Sequence, residues 1–352
     1  MKISVNLHAS NINGKGLGST NIFLSFIPQF LEKIDRKNSF FILSKSIEYR
    51  LINYLTEIPH YFHVSCLPNF LYRFLECTFL TPKFINTKNP LLTFGDLPLR
   101  YKGKQTLFLQ NILIINCQYT FRNFKFLIMN LIFRINLRYV NKFIVQTEVM
   151  RNLLVNNYNI SKSMIDIIYF PPSEEIIKKK NNLQKKNNSL IKLFYPSSAY
   201  HYKNHFLISK INDDQIIKNC QIYLTINEKE LHLNNKSMIK FLGTLDFKRV
   251  IDVYEEVNAL LFLSDKESYG LPLVEAMFLG LHIICPDLEY TRELCGDEAI
   301  YFENLNSKSL EESIKILIKK VENKDETNWS KHTSKFETDW EIVAKKFLSN
   351  LI

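Results

Sequence analysis

Short, almost wholly apolar runs recur along the chain, each bounded by turn or polar residues and several followed by a 3.6-residue hydrophobic period. Those at 2–7 (KISVNL), 39–43, 62–66, 91–94, 106–109 and 142–146 read as strands, with helical patterns between several of them. A strand buried on both faces has no polar side to alternate with, so its text is continuously apolar. Strands that alternate with helices predict an α/β fold built on a doubly wound parallel sheet. In FIVQTEVMRNLLV (143–155) a strand gives way to a helix at Thr147, whose hydroxyl suits an N-cap. IDIIYFPPS (165–173) closes this first set with a Pro-Pro stop.

A lysine- and asparagine-rich stretch, KKKNNLQKKNNS (178–189), follows and reads as solvated chain. IKLFYPSSAYHYKNH (191–205) then begins a second strand-and-helix set, continued by runs at 221–226, 239–245, 259–263 and 282–286. The expected organisation is a domain over 1–172, a linker over 173–190, a second domain over 191–330 and a terminal segment over 331–352. That segment carries Trp340, Ile342, Val343, Phe347 and Leu348 at helical spacing.

At 352 residues with 46% hydrophobic content, the chain can bury two separate cores. No apolar run is long enough to span a bilayer, and the opening residues show a strand pattern without a signal-peptide core. The six cysteines are scattered without metal-ligand spacing, which points to buried, reduced thiols in a cytoplasmic protein. A net charge of +10 suits nucleic acid or an anionic membrane surface as a partner. Its distribution favours the membrane: residues 120–143 set Arg122, Lys125, Arg134, Arg138 and Lys142 among Phe, Leu, Ile and Met. Two readings of that segment stand side by side. One is a helix lying in the headgroup region; the other is a core-facing helix with a basic solvent edge.

The densest chemistry lies in ESYGLPLVEAMFLG (267–280), directly after the apolar run ALLFL (259–263). Gly270 gives the backbone room to turn, Pro272 suits the first helical position, and Gly280 follows as a C′ stop. The unit is thus strand, glycine turn, helix, and a helix N-terminus at the carboxyl end of a parallel strand favours anions. Carboxylates such as Glu267 and Glu275 beside an anion site are better suited to sugar hydroxyls than to the anion itself. Near the N-terminus, Gly14, Gly16 and Gly18 make the loop after the first strand permissive for close approach of a ligand. No Asp-x-Asp element, Walker loop or zinc-finger spacing occurs.

The text ESYGLPLVEAMFLGLHIICPDLEYTRELCGDEAIYFEN resembles the signature of retaining glycosyltransferases of family 4. That resemblance implies the GT-B fold: two facing Rossmann-like domains with a cleft between them and a C-terminal helix crossing back to the first. Residues 1–172 would form the acceptor side and 191–330 the nucleotide-sugar side. Lys203 matches the lysine placed on the donor pyrophosphate, and Glu267 the glutamate beside the reacting carbon; these two are the catalytic candidates. Glu275 matches the residue assigned to the ribose. Ser268, Tyr269, Gly270 and Leu271 would offer backbone amides to the phosphates or sugar, and Gly243 and Thr244 would lie by the base. Gly14, Gly16 and Gly18 would form a phosphate or acceptor loop, with Asp96 and Asn111 on the acceptor side.

The family often carries an arginine five positions before its lysine, where this chain has Ser198, which puts phosphate affinity in doubt. His282 and Glu298 are milder departures. The implied function is transfer of a hexose or deoxyhexose, mannose first, from a GDP- or UDP-sugar to a glycan. The acceptor would be lipid-linked, in bacterial surface polysaccharide assembly at the cytoplasmic membrane face. Neither a metal, a further cofactor nor nucleic acid is expected. A nucleotide-sugar epimerase of the same architecture and a catalytically silent partner protein remain as alternatives.

Overall fold

The computed structural model describes residues 1–7, 17–44, 54–55, 58, 60–63, 74–80, 83, 85–95, 97–116, 124–179, 190–231 and 236–351. Gly14, Gly16, Asp96, Cys66 and Cys117 lie outside the described residues. Two compact units emerge: Met1–Phe170 with Glu337–Ile352, and Pro171–Phe336.

The first unit holds a seven-stranded parallel sheet of β1 (Ser4–Asn6), β2 (Phe40–Ser44), β3 (His60–His63), β4 (Leu91–Phe94), β5 (Gln105–Phe108), β6 (Lys142–Val145) and β7 (Ile165–Ile167). Its order is β3-β2-β1-β4-β5-β6-β7, with Val5 opposite both Phe41 and Leu92. The strand runs read as apolar are buried along their length in β1, β4 and β5, as a sheet covered on both faces requires. Thr147 caps the helix Glu148–Tyr158, accepting from the Met150 amide at 3.3 Å.

One face of this sheet is covered by the helix Leu17–Glu32, where Phe23, Phe26 and Phe30 pack against Phe94 with ring centroids 5.1, 5.6 and 6.5 Å away. The terminal helix Trp340–Ser349 completes that layer. Phe347 places its ring 5.0–5.7 Å from Phe26, Phe94, Phe108 and Phe170. The Thr106 hydroxyl donates to the Asn350 carbonyl at 2.7 Å, which ties the end of this helix to β5.

The second unit carries a six-stranded parallel sheet: β8 (Ile191–Tyr195), β9 (Cys220–Leu224), β10 (Ile239–Phe241), β11 (Ala259–Leu261), β12 (His282–Pro286) and β13 (Ile300–Phe302). The order β10-β9-β8-β11-β12-β13 reverses direction between β8 and β11. In open α/β sheets such a switch point leaves a crevice at the strands' carboxyl ends.

Several boundaries differ from the expected ones. Glu174–Lys178, assigned to the linker, is a helix of the second unit, since the Ser173 hydroxyl caps it by accepting from Ile176. The helix Ser330–Thr333 also belongs to the second unit, so the segment that joins the first unit begins at Glu337 rather than 331. Gly18 sits in the first turn of Leu17–Glu32, not in a loop; a helix tolerates glycine there at a cost of about 1 kcal/mol. β10 ends at Phe241 because Gly243, at φ +69°, turns the chain away after its amide donates to the Ile226 carbonyl.

Candidate functional site

Lys203 and Glu267 reach the switch point of the second sheet from its two sides, on the loops that follow β8 and β11. Their side chains form an ion pair and are only 16% and 19% exposed. A pair this sheltered is screened far less than a surface one, so each charge depends on the other for compensation.

Backbone bonds fix the lysine. After β8 the chain makes a short 3-10 turn, His201–Lys203, and leaves it through Asn204 in the left-handed region at φ +52°. Asparagine adopts that conformation more readily than most residues, and here its side-chain amide also donates to the Leu263 carbonyl at 3.0 Å. The buried Tyr195 hydroxyl donates to the Lys203 carbonyl at 2.7 Å. Meanwhile the Tyr202 carbonyl accepts from the Ser264 hydroxyl and the Asp265 amide, both at 3.2 Å. The two loops are therefore stitched together on both sides of the lysine.

Three aromatic hydroxyls lie within electrostatic reach of the glutamate, those of Tyr195 and Tyr290 on buried side chains and that of Tyr202 on a half-buried one. Tyr195, Tyr202 and Tyr290 are all held well above the ordinary phenol range, by burial first and then by the nearby Glu267 carboxylate. Each stays a neutral hydroxyl; Tyr290 donates to the Ser264 carbonyl at 2.6 Å. His205 is lowered to about 4 by burial and then by Lys203, so it is neutral at physiological pH and shares a 2.8 Å hydrogen bond with the Ser197 hydroxyl. Asp265, two residues before Glu267, keeps its Oδ1 buried with no hydrogen-bond partner.

Gly270 occupies the left-handed region at φ +81° and caps the helix Leu271–Phe278. A Cβ there would meet Leu273 Cδ1 at 3.0 Å, so both space and backbone favour glycine. Leu271 opens the helix and Pro272 takes its second position, one later than the sequence implied, where the absent N–H is still no loss. Tyr269 is buried and Ser268 half-buried in the approach. At the far end Gly280, φ +70°, stops the helix.

Glu275 lies inside this helix and is 6% exposed. The Tyr254 hydroxyl, on the helix Phe247–Glu256, donates to its Oε2 at 2.9 Å. Burial raises its pKa to about 7, against the lowering effect of that hydrogen bond. Glu267 and Glu275 thus have different surroundings, one paired with an ammonium and the other held by a phenol.

The remaining candidates divide. Gly243 lies in a tight turn, where a Cβ would meet Asn227 Oδ1 at 3.0 Å, and Thr244 beside it is exposed. Ser198 is exposed on the lysine loop. Asn111, expected as an acceptor-side residue, caps the helix Ile112–Ile115 by accepting from the Leu113 amide at 3.0 Å. That bond answers an otherwise unpaired helix donor, which accounts for an asparagine there. Sequence reasoning passed over Tyr195, Tyr202, Tyr254, Asp265 and Tyr290. The one available signal was aromatic and acidic text close to the motif, and for Tyr254 and Tyr290 only the fold supplies the partner. Among the described residues, no group of three or more His, Cys, Asp or Glu side chains could hold a metal ion.

The family model described as Glycosyl transferases group 1 matches residues 174–336. A stretch of 92 residues is 26% identical to the O-antigen chain mannosyltransferase RfbU of Salmonella typhimurium. It covers 26% of this chain and 26% of that protein, so about a quarter of the relative's length is spanned. Among solved structures, the lipopolysaccharide outer core galactosyltransferase WaaB superposes with a TM-score of 0.66 at 12% identity, over 100% of this chain and 99% of the other. HepE from Anabaena, solved in complex with UDP and glucose, gives 0.63 at 15% identity over 99% and 98%. Likeness at such identity is a likeness of fold, and the fold is GT-B, with two Rossmann-like units. That family model spans nearly the whole of the second unit, Pro171–Phe336, so this unit is similar in sequence to the group 1 glycosyl transferases.

Proposed function

We propose that the chain is a retaining glycosyltransferase moving a hexose or deoxyhexose, mannose first, from a nucleotide diphosphate sugar to a glycan acceptor. The observation that carries this is the sheltered Lys203–Glu267 pair at the switch point, with Gly270 and a helix start beside Glu267. As the glycosidic bond breaks, negative charge gathers on the leaving nucleoside diphosphate. An ammonium and helix amides already in place stabilise it without reorganising. In this reading the pyrophosphate takes Glu267's place as the partner of Lys203. The released carboxylate then faces the donor sugar beside the reacting carbon. Glu275 accepts hydrogen bonds from the ribose hydroxyls, and the unpartnered Asp265 oxygen is a second acceptor for a sugar hydroxyl. Retention requires the acceptor hydroxyl to attack from the face that the leaving group departs, which is a matter of positioning.

RfbU is named for mannosyl transfer to an O-antigen chain, and HepE was solved with UDP and glucose, so GDP-mannose and UDP-glucose are the donors to compare. A lipid-linked acceptor would place the reaction at the cytoplasmic membrane face. The reading assigns no step to a metal ion, and activity is expected to survive chelation; turnover lost in EDTA and restored by a divalent cation would count against that.

The test is a thermal-shift panel of GDP-, UDP-, dTDP- and ADP-sugars, followed by transfer assays with the donor that binds, since binding raises apparent stability by mass action. NMR of the product should show the donor's anomeric configuration. Glu267→Ala should abolish transfer in a protein that still melts cooperatively. Donor consumed in the absence of acceptor would favour an epimerase, and glycan synthesis unchanged by Glu267→Ala would favour a silent partner.

A further inference from the structure

The helix Phe124–Asn136 presents apolar side chains on both of its faces. Inward, Ile132 and Phe133 join the core of the first unit beside Leu107 and Phe143. Asn136 is fully buried and its amide donates to the Pro98 carbonyl at 3.1 Å, which fixes the helix rotation. An outward face that met only water would be polar. Here Phe124, Leu131 and Ile135 are 60%, 57% and 41% exposed. At 3.6 residues per turn these three and the half-buried Ile128 fall within about 60° of one another, and so form one ridge. Isolated exposed apolar side chains are ordinary on any protein; a continuous ridge is not.

Basic groups flank the ridge. Arg134 extends its guanidinium over the Tyr158 ring, 4.5 Å from the centroid, and its Nε donates to Asn130 Oδ1 at 2.9 Å. Just beyond the helix, Arg138 and Arg100 both donate to the Tyr139 hydroxyl, at 3.1 and 3.2 Å. Lys125 is exposed on the other flank. Among the described residues none of Arg100, Arg134 and Arg138 pairs with a carboxylate, and residues 124–139 contain no Asp or Glu.

We propose that this ridge seats the chain on an anionic bilayer, with Phe124, Leu131 and Ile135 entering the acyl boundary and the arginines meeting lipid phosphates. Charge selects this occupant. Phosphates supply anionic partners where the guanidiniums meet only neutral acceptors among the described residues, whereas a second copy of a chain carrying +10 would meet the ridge with like charge. The surface extends the membrane-face reading of the acceptor. It lies in the first unit, apart from every residue assigned to the donor.

Flotation of the full chain with phosphatidylcholine vesicles, with and without phosphatidylglycerol, tests it. Neither donor nor acceptor is required, so a failed transfer assay leaves the result readable. Binding is expected only to the anionic vesicles. Arg134→Gln with Arg138→Gln should weaken it about thirty-fold at low salt, as loss of two surface charges implies. Phe124→Ser with Leu131→Ser and Ile135→Ser should abolish it, while the melting temperature and the nucleotide-induced thermal shift persist. Wild-type chain that does not float overturns the proposal, as does flotation untouched by both variants. So does a dimer, seen by light scattering, that the serine variant splits without changing flotation.

Discussion

Glu275 makes an unusual demand on pH. Its carboxyl titrates at about 7 in the folded chain against 4.5 for the free group, so above pH 4.5 the unfolded chain releases a proton that the folded chain retains. This term therefore stabilises the folded state fully at low pH and is lost as pH rises towards 7. Between pH 5 and 8 the loss comes to about 2–3 kcal/mol. His205 acts in the opposite sense: lowered from 6.5 to about 4, it adds stability as pH rises through that window. The wild-type pH profile alone is therefore a poor guide, and the difference between Glu275→Gln and wild type isolates the carboxyl. Glutamine is neutral at every pH and its amide oxygen can still accept from Tyr254. The variant should melt near the wild type at pH 5 and roughly 5–10 °C higher at pH 8, for a unit of this size. Donor binding should run the other way. If the ionised carboxylate grips the ribose, wild-type affinity should rise about tenfold from pH 6 to 8, and the glutamine variant should bind weakly and without that rise. A melting difference that does not grow with pH would show that Glu275 is not held protonated by burial.

Lys203→Ala should lower kcat by about 10²–10³, as loss of a charge-stabilising group at a leaving group does, with the effect read in steady-state transfer assays. Gly270→Ala should destabilise the second unit by roughly 1–2 kcal/mol, because an L side chain is strained at φ +81°, and should also weaken donor binding; thermal melts with and without nucleotide separate the two effects. Phe347→Ala should cost the first unit about 3–5 kcal/mol in urea unfolding, since the ring is fully buried among four other phenylalanines.

Strands that read clearly in the sequence were those where several signals agreed. The run at 282–286 is apolar, follows Gly280 and meets Pro286, and β12 occupies those residues. Thr147 and Gly280 likewise act through local backbone chemistry that a short window of text contains. What escaped depends on distance along the chain. Tyr254 reaches Glu275 across 21 residues, and Lys203 reaches Glu267 across 64; no local pattern encodes either meeting. β13, Ile300–Phe302, was not among the runs read from the sequence. Asn111 was singled out for its polarity at a strand's end, and the helix cap it forms is a backbone use of that polarity that the sequence did not mark.

The helix Trp340–Ser349 completes the first unit although the whole of the second unit precedes it in the chain. A ribosome working from the N-terminus therefore delivers all of Pro171–Phe336 before Phe347 appears. Through that interval the later-made unit can close its sheet, while the earlier one waits with Phe26, Phe94, Phe108 and Phe170 lacking their central ring. Exposed aromatic surface of that kind invites chaperones or self-association during synthesis. Nascent chains stalled before residue 340 should consequently be more prone to aggregate than those released after it.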